Sequence, residues 1–195
     1  MQMIDITQEL FSCEVFPGDP APHFTRLASI AAGDAYNLTS LSLCAHNGTH
    51  LDAPCHFIPE GAAIDEIEPE RFVGPAYVAE HRGELSAEDA GRILARAESC
   101  GAAERILLKG ELVVTAEAAR IFAASGVRLL GNESQTFGPE VAPAEVHRIL
   151  LGAGIVLLEG IRLQQAEEGR YMLSALPLKL GGSDGAPCRA VLWRE

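Results

Sequence analysis

Residues 46–56 read HNGTHLDAPCH and hold three of the six histidines of the chain, His46, His50 and His56, with Asp52 between the last two. Imidazole and carboxylate at this density form the donor set of a divalent metal site. A helix with histidines at i and i+4, as in the HExxH zinc proteases, is opposed by Gly48 and Pro54 and by the lack of a glutamate after the first histidine. An extended chain suits the spacing better. The four groups all occupy even positions, and a strand sends every second side chain to one face. A straight strand would nevertheless hold His46 and His50 roughly 13 Å apart, whereas two donors on one metal are no more than about 4 Å from each other. The chain must therefore bend between them, and Gly48 permits the bend. Three ligands suffice for one catalytic metal; a binuclear centre needs more from elsewhere.

The elements downstream can supply them. Ser86 and Asp89 form a capping box, and Ala90, Ile93, Leu94 and Ala97 follow helical spacing as far as Gly101. RILLK at 105–109 reads as a buried strand, Thr115 caps a second helix ending near Gly126, and VRLLG at 127–131 is the next strand. Pro143 suits the first turn of a third helix with Val146, Ile149 and Leu150 as its apolar stripe. Gly152 and Gly154 end it, and IVLL at 155–158 returns as a strand. From the turn near Gly152, the helix back to His147 covers roughly 7 Å and the strand out to Glu159 roughly 13 Å in the same direction. His147 and Glu159 are thus expected at the same end of the domain, outside the carboxyl ends of the strands.

Elsewhere, residues 3–6 and 38–43 read as strands, the second leading into the histidine cluster. FPGDPAPHF at 16–24 is a loop, because Pro17, Pro20 and Pro22 oppose regular structure. A turn at 59–61 precedes a strand at 74–80, and the tail has strands at 171–176 and 188–193 around a turn at 181–185. Strands alternating with helices imply an α/β domain with some parallel pairing. No linker or charge run divides the 195 residues, so one domain over 1–195 is expected.

A formal charge of -12 argues against nucleic acid or an anionic membrane surface as partner, since both select clustered Lys and Arg. No apolar run reaches spanning length, and MQMIDITQEL lacks the regions of a signal peptide. The five cysteines, Cys13, Cys44, Cys55, Cys100 and Cys188, are odd in number and contain no CxxC pair, so a reduced, cytoplasmic chain is expected. Cys55, beside His56, has an alternative reading as a nucleophile, which its odd parity opposes if the strand continues that far.

HNGTHLDAPCH resembles HxGTHxDxPxH, the signature of the cyclase-like metal hydrolases, a family that includes the bacterial kynurenine formamidases. Every fixed position matches. IDIT near the start, FPGD at 16–19, HRILLGAGIVLLEG at 147–160 and ALPLKLGGSDGAPCRAVL at 175–192 also look like family segments in family order. The resemblance implies the α/β fold of that family, with a mixed β-sheet or barrel-like core and flanking helices, and a homodimer. It implies two divalent ions, usually Zn2+ with Mn2+ as the alternative: His46, His50 and Asp52 on the first, Asp52, His147 and Glu159 on the second, with Glu159 also touching the first. His56 becomes the catalytic acid/base instead of a ligand. The implied activity is amide hydrolysis by a metal-activated water, on N-formylkynurenine or a similar aryl formamide in tryptophan catabolism. A cyclic amide of the isatin kind or a lactone is the alternative substrate. A metal-binding protein without turnover is the alternative of another class, and the presence of His56 weighs against it. Three departures bear on substrate: Phe16 stands where these enzymes usually carry Trp in the substrate pocket, the segment between Lys109 and Thr115 is shorter, and GNESQTFGP at 131–139 replaces a stretch that normally bears aspartate.

Overall fold

The computed structural model describes residues 2–194. Its strands are β1 (Met3–Asp5), β2 (His23–Ala28), β3 (Leu38–Ser42), β4 (His50–Asp52), β5 (Val73–Glu80), β6 (Gly83–Leu85), β7 (Arg105–Lys109), β8 (Leu112–Val114), β9 (Leu129–Asn132), β10 (Val156–Glu159), β11 (Gly169–Ser174), β12 (Gly185–Pro187) and β13 (Val191–Trp193). The helices are α1 (Ala87–Ser99), α2 (Ala116–Ala123) and α3 (Ala144–Gly152). Nine strands make one mixed sheet in the order β1-β13-β11-β5-β7-β9-β10-β4-β12. The central pairs β5–β7, β7–β9 and β9–β10 are parallel. The flanking pairs are antiparallel. The α/β architecture expected from the alternation is present, with the sheet curled into a half-barrel.

Alternation along the central strands divides the interior into two cores. Tyr77, Ala79, Ile106, Leu108, Leu130 and Leu157 face the helices. Ala76, Val78, Leu107, Leu129, Val156 and Leu158 point the other way, into the hollow of the curled sheet, which Ile6, Phe72, Ile161 and Leu163 help to fill. The helices begin where their caps lie. Ser86 accepts from the Asp89 amide while Asp89 accepts from the Ser86 amide, closing the capping box. Thr115 accepts from the Ala118 amide. Pro143 takes the cap position of α3, one place before the expected first turn, and Gly154 leaves the helix at φ +76.

Several short elements differ from expectation. The proline loop stops at Pro22, and β2 starts at His23, because β3 offers it an antiparallel partner. β6 and β8 form a separate parallel pair, and β12 adds an edge strand to β4 between the turn expected at 181–185 and the strand expected at 188–193. Pro187 is tolerated there because an edge strand has one unpaired side. Among the described residues all five cysteines are free.

Candidate metal and catalytic site

Only two of the four motif side chains lie on β4. His50 and Asp52 share one face, while Leu51 between them turns into the inner core. His46 precedes the strand in a turn, and Gly48 at φ +64 makes the bend. A Cβ on Gly48 would also lie 3.2 Å from the Cβ of Cys13, so conformation and room both call for glycine. His56 closes a 3-10 turn, Pro54–His56, so strand parity does not extend to it or to Cys55. The four groups nevertheless converge on one cavity of about 260 Å³.

Antiparallel register sets Glu159 directly opposite His50, which places the two side chains on the same face. The parallel β9–α3–β10 unit lays α3 over that face, and His147 Nε2 comes within 3.2 Å of Glu159 Oε1. Both carboxylates divide their oxygens. Asp52 Oδ1 is 2.9 Å from His46 Nδ1 and 3.4 Å from His50 Nε2, while Oδ2 is 3.6 Å from His147 Nε2. Glu159 Oε2 is 3.4 Å from His50 Nε2, and Oε1 faces His147. One side of the carboxylate pair therefore serves His46 and His50, the other His147.

The opposite ring nitrogens are anchored. His50 Nδ1 donates to the Gly48 carbonyl and His147 Nδ1 to the Pro143 carbonyl, each at 3.0 Å. His46 Nε2 donates to Asp184 Oδ2 at 3.0 Å. In the neutral rings these bonds leave the remaining lone pairs aimed at carboxylate oxygens, an arrangement that needs a proton or a cation between them. His50 Nε2 is buried without a hydrogen-bond partner. Adjacent donors on a tetrahedral ion, each about 2 Å from it, lie roughly 3.3 Å apart, close to the 3.4 Å that separates His50 Nε2 from each carboxylate. The residues fit a divalent cation.

Without a cation, protons take its place. Burial alone would depress His50, but the Asp52 and Glu159 carboxylates, each 3.4 Å from its Nε2, outweigh it and raise its pKa to about 10. Burial would raise Asp52, yet His46 and His50 hold it far below the usual carboxylate range. His46 and His147 are raised by Asp52 and Glu159 respectively, again against burial. The stabilisation from protonated His50 is complete below its ordinary value of 6.5 and is lost as pH rises through about 10. Asp52 expresses the same ion pair from the acid side: its contribution is present above 3.8 and is lost as pH falls through its depressed native value. Metal-free protein should therefore lose thermal stability between about pH 6.5 and 10, and divalent metal should remove that loss while releasing protons. Melting curves across pH and calorimetry in buffers of different ionisation enthalpy measure both; a flat alkaline limb and no proton release would refute the arrangement.

Asp184 was not singled out in the sequence, where GGSDG reads only as a turn. Its Oδ2 accepts from both His46 Nε2 and His56 Nδ1, at 3.0 and 3.1 Å, and the two imidazoles stack with centroids 4.2 Å apart. Asp184 thus orients a metal-ligand candidate and the acid/base candidate together. His46, Asp52 and His56 also bring one donor atom each within 4.8 Å of one another, a geometry that admits His56 as a ligand. Phe16 lines the cavity, and so do Asp19, Phe57, Gln135 and Thr136; the sequence singled out none of these last four as a site residue. Cys55 has its thiol pKa raised by burial and by Asp184, the reverse of what a nucleophile needs.

The family model described as "Putative cyclase" matches residues 4–139, a stretch that contains HNGTHLDAPCH and ends before His147 and Glu159. A kynurenine formamidase of Salinibacter ruber (strain DSM 13855 / M31) is 35% identical over 206 residues, covering 98% of this chain and 97% of the relative. The solved structure of a potential metal-dependent hydrolase with cyclase activity superposes with a TM-score of 0.81 at 26% identity, covering 98% of this chain and 96% of its own. Isatin hydrolase A from Labrenzia aggregata, at 24% identity and a TM-score of 0.82 over 98% of this chain and 93% of its own, shares the fold. The likeness that the eleven-residue motif first signals thus runs through nearly all of the sequence and the architecture, and the chain belongs to the cyclase family.

Proposed function

We propose that the chain is a metal-dependent arylformamidase that hydrolyses N-formylkynurenine or a similar aryl formamide. The observation that carries the reading is the division of two buried carboxylates, Asp52 and Glu159, between His46 and His50 on one side and His147 on the other. That division supports two divalent ions. His46, His50 and Asp52, with Glu159, would hold the first, and Asp52, His147 and Glu159 the second. The nitrogen and oxygen donors suit Zn2+, with Mn2+ as the alternative. The 35% identity to a kynurenine formamidase supports the substrate class.

The cation, when bound, supplies Lewis acidity to the acyl oxygen and to a water. The chain supplies the rest. His56 Nδ1 donates to Asp184, which leaves Nε2 to exchange protons within the cavity. As water adds to the formyl carbon, His56 Nε2 accepts its proton. As the C–N bond breaks, the same proton passes to the departing aryl nitrogen, giving an aryl amine and formic acid, which ionises to formate. Burial of Asp52, His50, His147 and Glu159 to within 3% of full exclusion keeps bulk water from the carboxylates.

Phe16 would cover the site and pack against the aryl ring. Its replacement by alanine should raise KM for an aryl formamide roughly fivefold, about 1 kcal/mol of contact, and Phe16→Trp should preserve activity. An unchanged KM in Phe16→Ala would put the residue outside the pocket. The test of the reaction class is turnover of N-formylkynurenine, set against a panel of cyclic amides and lactones, by protein of measured metal content. Preference for a cyclic substrate would overturn the arylformamidase assignment.

A homodimer is supported by the β2–β3 hairpin, which has no sheet neighbour and leaves Phe24, Leu27 and Leu41 at least half exposed. A lone hairpin is marginal in water, and a second copy would cover it. Light scattering on wild type and on Leu27→Asp, expected to be monomeric, tests this; a monomeric wild type would sink it. No helix among the described residues is long and apolar enough to cross a membrane. The free cysteines support a cytoplasmic location.

A further inference from the structure

We infer that Gln135 is a specificity-determining residue whose carboxamide binds a neutral carbonyl group carried on the aryl ring of the substrate; this rests on the arylformamidase reading. Gln135 lies in the loop after β9 and lines the cavity together with His147 and Glu159. Its Nε2 and Oε1 are both buried, and neither has a hydrogen-bond partner. An amide with donor and acceptor both unpaired is disfavoured in a folded interior unless something else completes it. The chain also keeps room for this group. Gly160, immediately after Glu159, sits at φ +66, and a Cβ there would fall 2.2 Å from Gln135 Nε2, 2.4 Å from the Gly48 carbonyl oxygen and 2.5 Å from Gln8 Nε2, so the glycine makes room for all three. Any larger residue at 160 would collide with the carboxamide beside the carboxylates.

The lining selects the chemistry of the ligand. Asp19, Asp52 and Glu159 are its charged groups other than histidine, and among the described residues no Lys or Arg lines the cavity. A carboxylate on the ring would find no lysine or arginine to pair with, and Asp19, the one acid of the lining outside the proposed ligand set, would repel it. A neutral ketone or amide carbonyl needs only a donor, which Gln135 Nε2 provides, and Oε1 remains to accept from an N–H of the same molecule. Phe16 and Phe57 offer apolar surface for the ring between. The segment 131–139, where this chain departs from the pattern of its family, thus holds a neutral reader of the substrate.

The test uses metal-loaded wild type, Gln135→Ala and Gln135→Glu with three formamides: ortho-acetylformanilide, which carries a ring ketone, formanilide, which carries none, and N-formylanthranilate, which carries a carboxylate. Wild type should favour the ketone over formanilide by about tenfold in kcat/KM, with the carboxylate poorest. Both variants should retain their metal and lose about tenfold more on the ketone than on formanilide, chiefly through KM. Equal losses on the two substrates, or a ratio unmoved in both variants, would overturn the role of Gln135 while leaving the reaction intact. Absence of turnover of all three by wild type would overturn the reaction class and this inference with it.

Discussion

Replacing His56 by alanine should lower turnover of an aryl formamide by roughly 10²-fold or more and leave the metal content unchanged. The expectation follows from geometry. His56 sits outside the strand that carries His50 and Asp52, and its Nδ1 is committed to Asp184 at 3.1 Å. Its side chain is 28% exposed, against 1% for His50. A group that must exchange protons with substrate needs that access; a buried ligand does not. The leaving nitrogen of an aryl formamide still requires a proton, and without His56 it must come from solvent. Elemental analysis alongside kinetics separates the roles. Loss of a whole metal equivalent would make His56 a ligand, in keeping with its closeness to His46 and Asp52, and would overturn its assignment as acid/base.

Asp52→Ala should be more damaging, because Asp52 alone touches all three candidate ligand histidines, at 2.9, 3.4 and 3.6 Å. We expect loss of at least one metal equivalent and a fall in turnover of about 10³-fold or more, since Lewis-acid stabilisation is worth several kcal/mol. The metal-free variant should also show a weaker alkaline dependence of stability, because His50 owes part of its raised pKa to Asp52 and keeps only the part due to Glu159. Full metal occupancy with intact turnover would show that the carboxylate bridges nothing.

The parts of the fold legible in the sequence are those written in local chemistry. Ser86 and Asp89 announce α1 because the capping box closes within four residues, and RILLK at 105–109 is found as β7 with those bounds. The meeting of His147 and Glu159 follows from helix and strand rise alone. The elements that were not legible depend on distant partners. β12 exists because β4 lies beside it, and Pro187 gives no strand signal of its own. Asp184 reaches His46 across 138 residues of sequence, so nothing local marks it as more than a turn residue. Parity grouped the four motif residues correctly for a reason that holds only for His50 and Asp52; His46 and His56 arrive by a glycine bend and a 3-10 turn. Gln135 had no signal beyond its departure from the family pattern.

The most direct test is a metal titration of stripped protein, with bound metal and N-formylkynurenine turnover followed in the same samples. Turnover should be absent without metal, rise with added divalent ion, and saturate at two equivalents per chain. Full turnover in protein verified to be metal-free, or none at any loading, would contradict a metal-dependent arylformamidase.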